Sequence, residues 1–313
     1  MMTIKHCIES LRKKGLYFCL QEASKYLFPI RWISDKSLMD SLYQRRTYNY
    51  LKRKYIPMLD KFSPCEVPDS GQASPVWVAW LQGEEAAPPL VRKCIGSVRR
   101  HAGNREVRVV TWNNLDSYID IPDYIIKRLN HHQMQFAQFS DYIRIALLCK
   151  YGGIWVDATV FLSAPVPDEI SGSPLFFFRS AVDNAPVIRI SNWFIVSSPG
   201  NPVVQKMKYL LECYWQREHK LKDYFIFHLF FSCLIDSDEE CRQIWKSMHF
   251  VSNMEAHRMQ SLLFEPYSEK LFNDICSGST IHKLTHKFKN PDLTGKKGTV
   301  YDHLMNDLQI IGN

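Results

Sequence analysis

Three segments of this sequence carry side chains of the types and spacing to do chemistry. Asp141 and Arg144 stand three residues apart, with Ser140 beside them. On a helix that spacing places them on one face, where the simplest outcome is an i,i+3 ion pair worth roughly a few tenths of a kcal/mol. Asp157 is different: it follows the apolar run Ile154, Trp155, Val156 and precedes Ala158 and Thr159. An acid at the end of a buried strand either caps a neighbour or meets a ligand. A carboxylate there can hold a hard divalent cation, which in turn neutralises a nucleotide diphosphate. An earlier apolar run ends in Trp80, Leu81, Gln82 and Gly83, offering an aromatic face, an amide and a flexible turn.

The elements around these residues follow from periodicity and punctuation. Val76–Trp80 reads as a short strand, Pro88 and Pro89 open a helix that runs to Arg100, and Val107–Trp112 reads as a second strand. Pro is tolerated in a first helical turn, and strand, helix, strand with short connections is the signature of a parallel βαβ unit. A helix from about Met134 to Lys150 is stopped by Gly152 and Gly153, and Ile154–Val156 begins another strand. Further strands are expected at Leu175–Phe178 and Trp193–Val196, and helices from Pro202 to about His219 and from Asp223 to about Ile235. The tail, 280–313, is polar and Gly-punctuated, which suits loops closing over a site. In open α/β sheets ligands bind beyond the carboxyl ends of the strands, the edge to which Trp80, Gln82 and Asp157 are delivered.

Composition narrows the class. With 313 residues, 46% hydrophobic and 23% charged, the chain is neither disordered nor a disulfide-stapled peptide, and it is long enough for a full core. Its net charge of +7 has an uneven origin. Residues 1–60 hold twelve basic and five acidic side chains, so the whole excess sits in the N-terminal fifth. A nucleic-acid binder would carry that excess on its main domain. The N-terminal segment reads instead as basic helices joined by short breaks. Such helices either lie on anionic lipid or pack an apolar face on the main body. Residues 63–75, rich in Pro, Gly and Ser, form a connector, dividing a helical region at 1–62 from a main domain at 74–313. Nine Cys lie scattered without a CxxC pair, as expected of buried thiols in a reducing compartment. The first 20 residues lack the apolar core of a cleavable signal. The longest apolar run, Tyr224–Ile235, is too short to span a bilayer. The expectation is a soluble or peripheral protein at the cytoplasmic face of a membrane.

The 22 residues from Phe139 to Val160, FSDYIRIALLCKYGGIWVDATV, resemble the core motif of the capsular polysaccharide synthesis glycosyltransferases. These are DXD-type sugar transferases related to the family 32 glycosyltransferases, the yeast-type α-mannosyltransferases and the glucosylating clostridial toxins. VWVAWLQGEEAAP from Val76, SNWF from Ser191 and HKLTHK from His282 are similar to the same family, so the resemblance covers roughly residues 74–290. It implies an α/β, GT-A-like nucleotide-sugar-binding fold with a mostly parallel central sheet. Carried across motif by motif, it implies that Asp141 binds hydroxyls of the donor's sugar or ribose and that Arg144 faces the sugar or diphosphate. Asp157 becomes the first acid of the DXD element, holding Mn²⁺ or Mg²⁺. Trp80 and Gln82, next to Gly83, contact the base; His282, Lys283 and Lys287 are diphosphate partners from the closing tail. The second acid is replaced by Thr159, which supplies no charge, so cation dependence is where this sequence departs from the pattern.

The activity so implied moves a monosaccharide from a nucleotide-diphosphate sugar, with UDP as the expected nucleotide, to a surface or capsular glycan on a lipid-linked acceptor. Retention of anomeric configuration follows from the same resemblance. Asn192, Trp193, Asp223 and His228 are candidates for the acceptor side, although an aromatic at 193 also suits a core strand. A different class stays open, a non-catalytic glycan- or membrane-binding protein that keeps the fold. No Gly-rich GxxxxGK loop supports another phosphate-handling chemistry.

Overall fold

The structure, a computed structural model, describes residues 36–65, 74–180 and 187–306. The readings made on residues 1–35, including most of the basic N-terminal segment, lie outside the described residues. In chain order the main elements are α1 (Lys36–Tyr55), β1 (Val76–Ala79), α2 (Pro89–His101), β2 (Val107–Val110) and α3 (Asp123–Asn130). Next come α4 (Phe136–Tyr151), β3 (Gly153–Val156), β4 (Val160–Leu162), β5 (Leu175–Arg179) and β6 (Ile190–Ser197). The remainder is α5 (Pro202–Arg217), α6 (Ile226–Ser237), α7 (Glu239–Ser247), α8 (Met254–Leu262), α9 (Glu269–Gly278), β7 (Ile281–Lys283) and α10 (Val300–Asn306).

Five strands form the central sheet, in the order β2-β1-β3-β6-β5. β1 pairs in parallel with both β2 and β3, whereas β6 runs antiparallel to β3 and to β5. The sheet is therefore mixed rather than mostly parallel by pairing, although β6 alone is reversed and the other four strands point one way. β5 and β6 are consecutive in sequence and neighbours in the sheet, an antiparallel pairing that needs no long crossover.

Both faces of the sheet are covered, which explains why its strands read as continuous apolar runs. Side chains alternate along each strand. Trp77, Trp155, Phe177 and Ile195 enter one core with α4, α5 and α6. Val78, Ile154, Val156, Phe176 and Phe194 enter another with Val91, Ile95 and Val98 of α2. α1 joins the first core: Leu51 and Tyr55 are fully buried, and the helix packs against α6.

Gly152 and Gly153 do more than end a helix. Both have positive φ, and a Cβ at Gly152 would stand 2.5 Å from Pro199 N, one at Gly153 2.1 Å from Pro75 O. Only glycine allows the chain to leave α4 and enter β3 so close to its neighbours.

Two expectations change in the second half. α6 begins at Ile226, not at Asp223, because Asp223 Oδ1 accepts the Phe225 N–H at 2.9 Å and holds a turn ahead of the helix. The tail is not a set of loops: β7 pairs antiparallel with β4, and α10 buries Val300 and Leu304 in a third core with Phe161, Leu263 and Leu284.

Candidate functional site

β1 and β3 end side by side. Trp80 N–H, one residue past β1, donates to Val110 O at 3.0 Å, and Asp157 N–H, one past β3, donates to Trp193 O at 2.8 Å. The ladder thus carries Trp80 and Asp157 to the carboxyl edge of the sheet, where a cleft of about 760 Å³ opens. α4 supplies Ser140, Asp141 and Arg144 to its wall, β6 supplies Asn192, the end of β7 supplies Lys283, and the segment after it supplies Thr285, His286 and Lys287.

Charge in the cleft is organised around Asp157. Its Oδ1 accepts from Trp155 Nε1 at 2.9 Å and lies 3.3 Å from Arg144 Nη2; its Oδ2 lies 2.8 Å from Lys283 Nζ. Burial alone would raise this carboxyl, but Lys283, Arg144 and the hydrogen bonds outweigh it and hold the group below the usual carboxylate range. Arg144 is almost wholly covered. Its Nη1 donates to Asn192 O at 2.6 Å and sits 3.2 Å from Asp141 Oδ1, and its Nη2 donates to Ser140 Oγ at 3.1 Å. The i,i+3 pair with Asp141 therefore exists, and the same guanidinium also reaches Asp157. Asp141 accepts from Asn192 Nδ2 at 2.8 Å, yet burial, with Asp157 nearby, pushes it up to about 6. Two neighbouring carboxyls are thus driven apart in acidity by their surroundings.

Three buried side-chain nitrogens lining the cleft have no hydrogen-bond partner among the described residues: Trp80 Nε1, His228 Nδ1 and His286 Nδ1. Trp80 and His286 meet edge to face at 5.4 Å. Burial and Arg144 push His228 down to about 3, so its imidazole is neutral at ordinary pH. Buried polar atoms are normally paired, and a cluster of unpaired ones around a cavity has the character of a binding site.

Most of the residues singled out from sequence are brought together here. Trp80, Gln82, Asp141, Arg144, Asp157, Thr159, Asn192, His228, Lys283 and Lys287 all line the cleft. Four do not. Gly83 sits in a turn, donating its N–H to Trp80 O. Trp193 stacks on Phe178 at 4.7 Å and borders a smaller hollow that shares Asn192 and His228 with the cleft. Asp223 holds the turn before α6. His282 is fully buried, with Nε2 2.9 Å from Ser163 Oγ, and burial pushes it down to about 4. It alternates with Lys283 along β7, so the two side chains part to opposite sides of the strand. Sequence reasoning passed over Tyr224 and Phe136, both exposed on the cleft's rim; neither carries a local signal. His286 could have been found within the HKLTHK segment.

The model of one family, described as capsular polysaccharide synthesis protein, matches residues 30–304. The chain belongs to this family. Among curated relatives, the chain is 29% identical over 157 residues to the O-glycosyltransferase braB of Annulohypoxylon truncatum, a match over 45% of this chain and 37% of that one. It is 31% identical over 90 residues to the subversion of eukaryotic traffic protein A of Legionella pneumophila, over 29% of this chain and 14% of that one. The chain thus spans little more than a third of the first relative's length and less than that of the second. Among solved structures, the PaToxG glycosyltransferase aligns at 12% identity with a TM-score of 0.38, over 77% of this chain and 95% of that one.

The donors around Asp157 do not fit a divalent cation as they are arranged. Beside Asp157 stands the neutral hydroxyl of Thr159, and Lys283 Nζ lies 2.8 Å from both Thr159 Oγ1 and Asp157 Oδ2. Among the described residues no group of three or more His, Cys, Asp or Glu is placed to hold a metal.

Proposed function

We propose that this chain is a retaining glycosyltransferase that takes a monosaccharide from a nucleoside-diphosphate sugar and adds it to a surface or capsular glycan. The observation that carries the reading is Asp157, set at the carboxyl edge of the sheet, inside the cleft and between two cations. The family match and a relative named an O-glycosyltransferase support it. A GT-A-like arrangement would place the base near Trp80 and Gln82 and the diphosphate near Asp157, Lys283 and Lys287.

In the reaction, the bond between the anomeric carbon and the diphosphate breaks, its electron pair leaving on the phosphate oxygen. An acceptor hydroxyl forms the new C–O bond on the same face, and its proton passes to the departing phosphate. The protein's part is positioning and charge. Lys283 and Lys287 meet the growing negative charge on the leaving group. Arg144 keeps Asp141 and Asp157 in fixed positions against the sugar, and Asn192 and His228 border the side where an acceptor would enter. UDP is the first nucleotide to test, and the acceptor is proposed to be lipid-linked, reached through the basic segment at residues 1–60. No helix among the described residues is long and apolar enough to cross a membrane.

The test is nucleotide release from a panel of UDP- and GDP-sugars, with and without Mn²⁺. Slow release from one donor is expected, and Asp157→Ala abolishing it. Release unchanged in Asp157→Ala would refute the reading. The pairing of Asp157 with Lys283 favours one alternative, a protein that binds donor without turning it over; tight binding with no release, on every acceptor tried, would support that.

A further inference from the structure

The position beside Asp157 and Thr159 is held by a side chain that the fold cannot easily withdraw. Lys283 does not arrive on a loose tail. The register of β7 on β4 sets it opposite Val160, and the next N–H, of Leu284, donates to Thr159 O at 2.9 Å. With His282 fully buried on the other side of the strand, alternation commits Lys283 to the cleft. Its ammonium then lies 2.8 Å from Asp157 Oδ2 and 2.8 Å from Thr159 Oγ1.

We infer that Lys283 is this chain's built-in replacement for a divalent cation: fixed between Asp157 and Thr159, its ammonium is the positive charge that receives the donor's diphosphate. The inference rests on the sugar-transfer reading and adds to it the source of the counter-charge. An ammonium carries three donors; two are engaged by Asp157 and Thr159, which leaves one for a phosphate oxygen. Asp157 unpaired would repel a diphosphate, and Lys283 cancels that repulsion without any ion from solution. Thr159 makes the arrangement possible, because its hydroxyl accepts a hydrogen bond and adds no charge. A second carboxylate there would put two anions around one lysine and favour a hard divalent ion instead. Lys287, also in the cleft wall, adds a second cation on the same side.

Calorimetric titration of the full chain with UDP and with GDP, each in EDTA and in excess Mn²⁺, tests this. The wild type is expected to bind one of them equally well in both conditions. Lys283→Met is expected to weaken that binding roughly 10- to 100-fold, as for loss of a charge-assisted hydrogen bond. The double variant Thr159→Asp/Lys283→Ala is expected to bind only with Mn²⁺. Should Lys283→Met fail to fold, Lys283→Gln keeps donors for Asp157 and Thr159 while removing the charge, and the same loss is expected. Wild-type binding that requires Mn²⁺ overturns the inference and leaves the sugar-transfer reading standing, as does undiminished binding in the Lys283 variants. No binding of either nucleotide, with or without Mn²⁺, overturns both.

Discussion

Two of the molecule's clusters of covered ionisable groups are built from nearly the same ingredients. One is the cleft cluster of Asp141, Arg144, Asp157 and Lys283. The other lies where α1 meets the end of α5, around Glu218. There Glu218 accepts hydrogen bonds from the hydroxyls of Tyr50 and Tyr55, the latter at 2.8 Å, and from Lys54 Nζ at 2.7 Å, with Lys222 Nζ 3.2 Å away. One carboxylate is surrounded by two ammoniums and two phenols, and its needs are met within the protein. The cleft differs in what is left over: two carboxylates share a guanidinium and an ammonium, three buried nitrogens lack partners among the described residues, and an open cavity lies beside them. Perturbed acidity is common to both clusters. Unmet hydrogen-bonding capacity next to a cavity separates a candidate site from a structural knot.

Substitutions on the two sides should therefore fail in different ways. The larger effect is expected in the cleft. Arg144→Ala should lower donor turnover by roughly two to four orders of magnitude, with UDP binding reduced less, because Asp141 and Asp157 lose the group that fixes them. Unchanged turnover would reduce Arg144 to a helix ion pair and make the two clusters alike.

A smaller effect is expected at Glu218, and on stability alone. Glu218→Gln should cost about 3 kcal/mol of folding free energy, as for breaking a buried pair, while turnover well below the melting temperature stays at the wild-type level. The pH dependence carries the same signature. Against the pull of burial, hydrogen bonds from Lys54, Tyr50 and Tyr55 and the charge of Lys222 hold the Glu218 carboxyl down to about 2, from an ordinary 4.5. A carboxyl lowered by folding stabilises the native state fully above its unfolded value. That contribution, about 3 kcal/mol by linkage, is lost as pH falls from the ordinary value through about 2. Denaturant unfolding followed across this range should show a loss smaller by about 3 kcal/mol in Glu218→Gln than in the wild type. Equal slopes in both would remove Glu218 as the knot's centre.

What the sequence could say about these regions follows from the range over which each feature is determined. The strand, helix and strand from Val76 to Val110, and the α4–Gly-Gly–β3 passage that delivers Asp157, are local patterns and were legible. The Arg144 pairing with Asp141 was legible too, since helical spacing sets it; its second partner, Asp157, depends on how β3 sits over α4. Lys283 and His282 looked equivalent in sequence. The register of β7 on β4, more than a hundred residues away, decides that one faces the cleft and the other the core. The reversed sense of β6 is not written in its apolar run, and Glu218 gathers partners from α1 with no motif to announce them.

The most direct test of the proposal that Lys283, held by Asp157, receives a diphosphate in the cleft is a structure of the full chain with UDP bound. The expected result is UDP in the large cleft, its base near Trp80 and Gln82 and a phosphate oxygen hydrogen-bonded to Lys283 beside Asp157. UDP seated instead in the hollow at the opposite ends of the strands, by His101, Arg105 and Asp168, with Asp157 and Lys283 untouched, would contradict it.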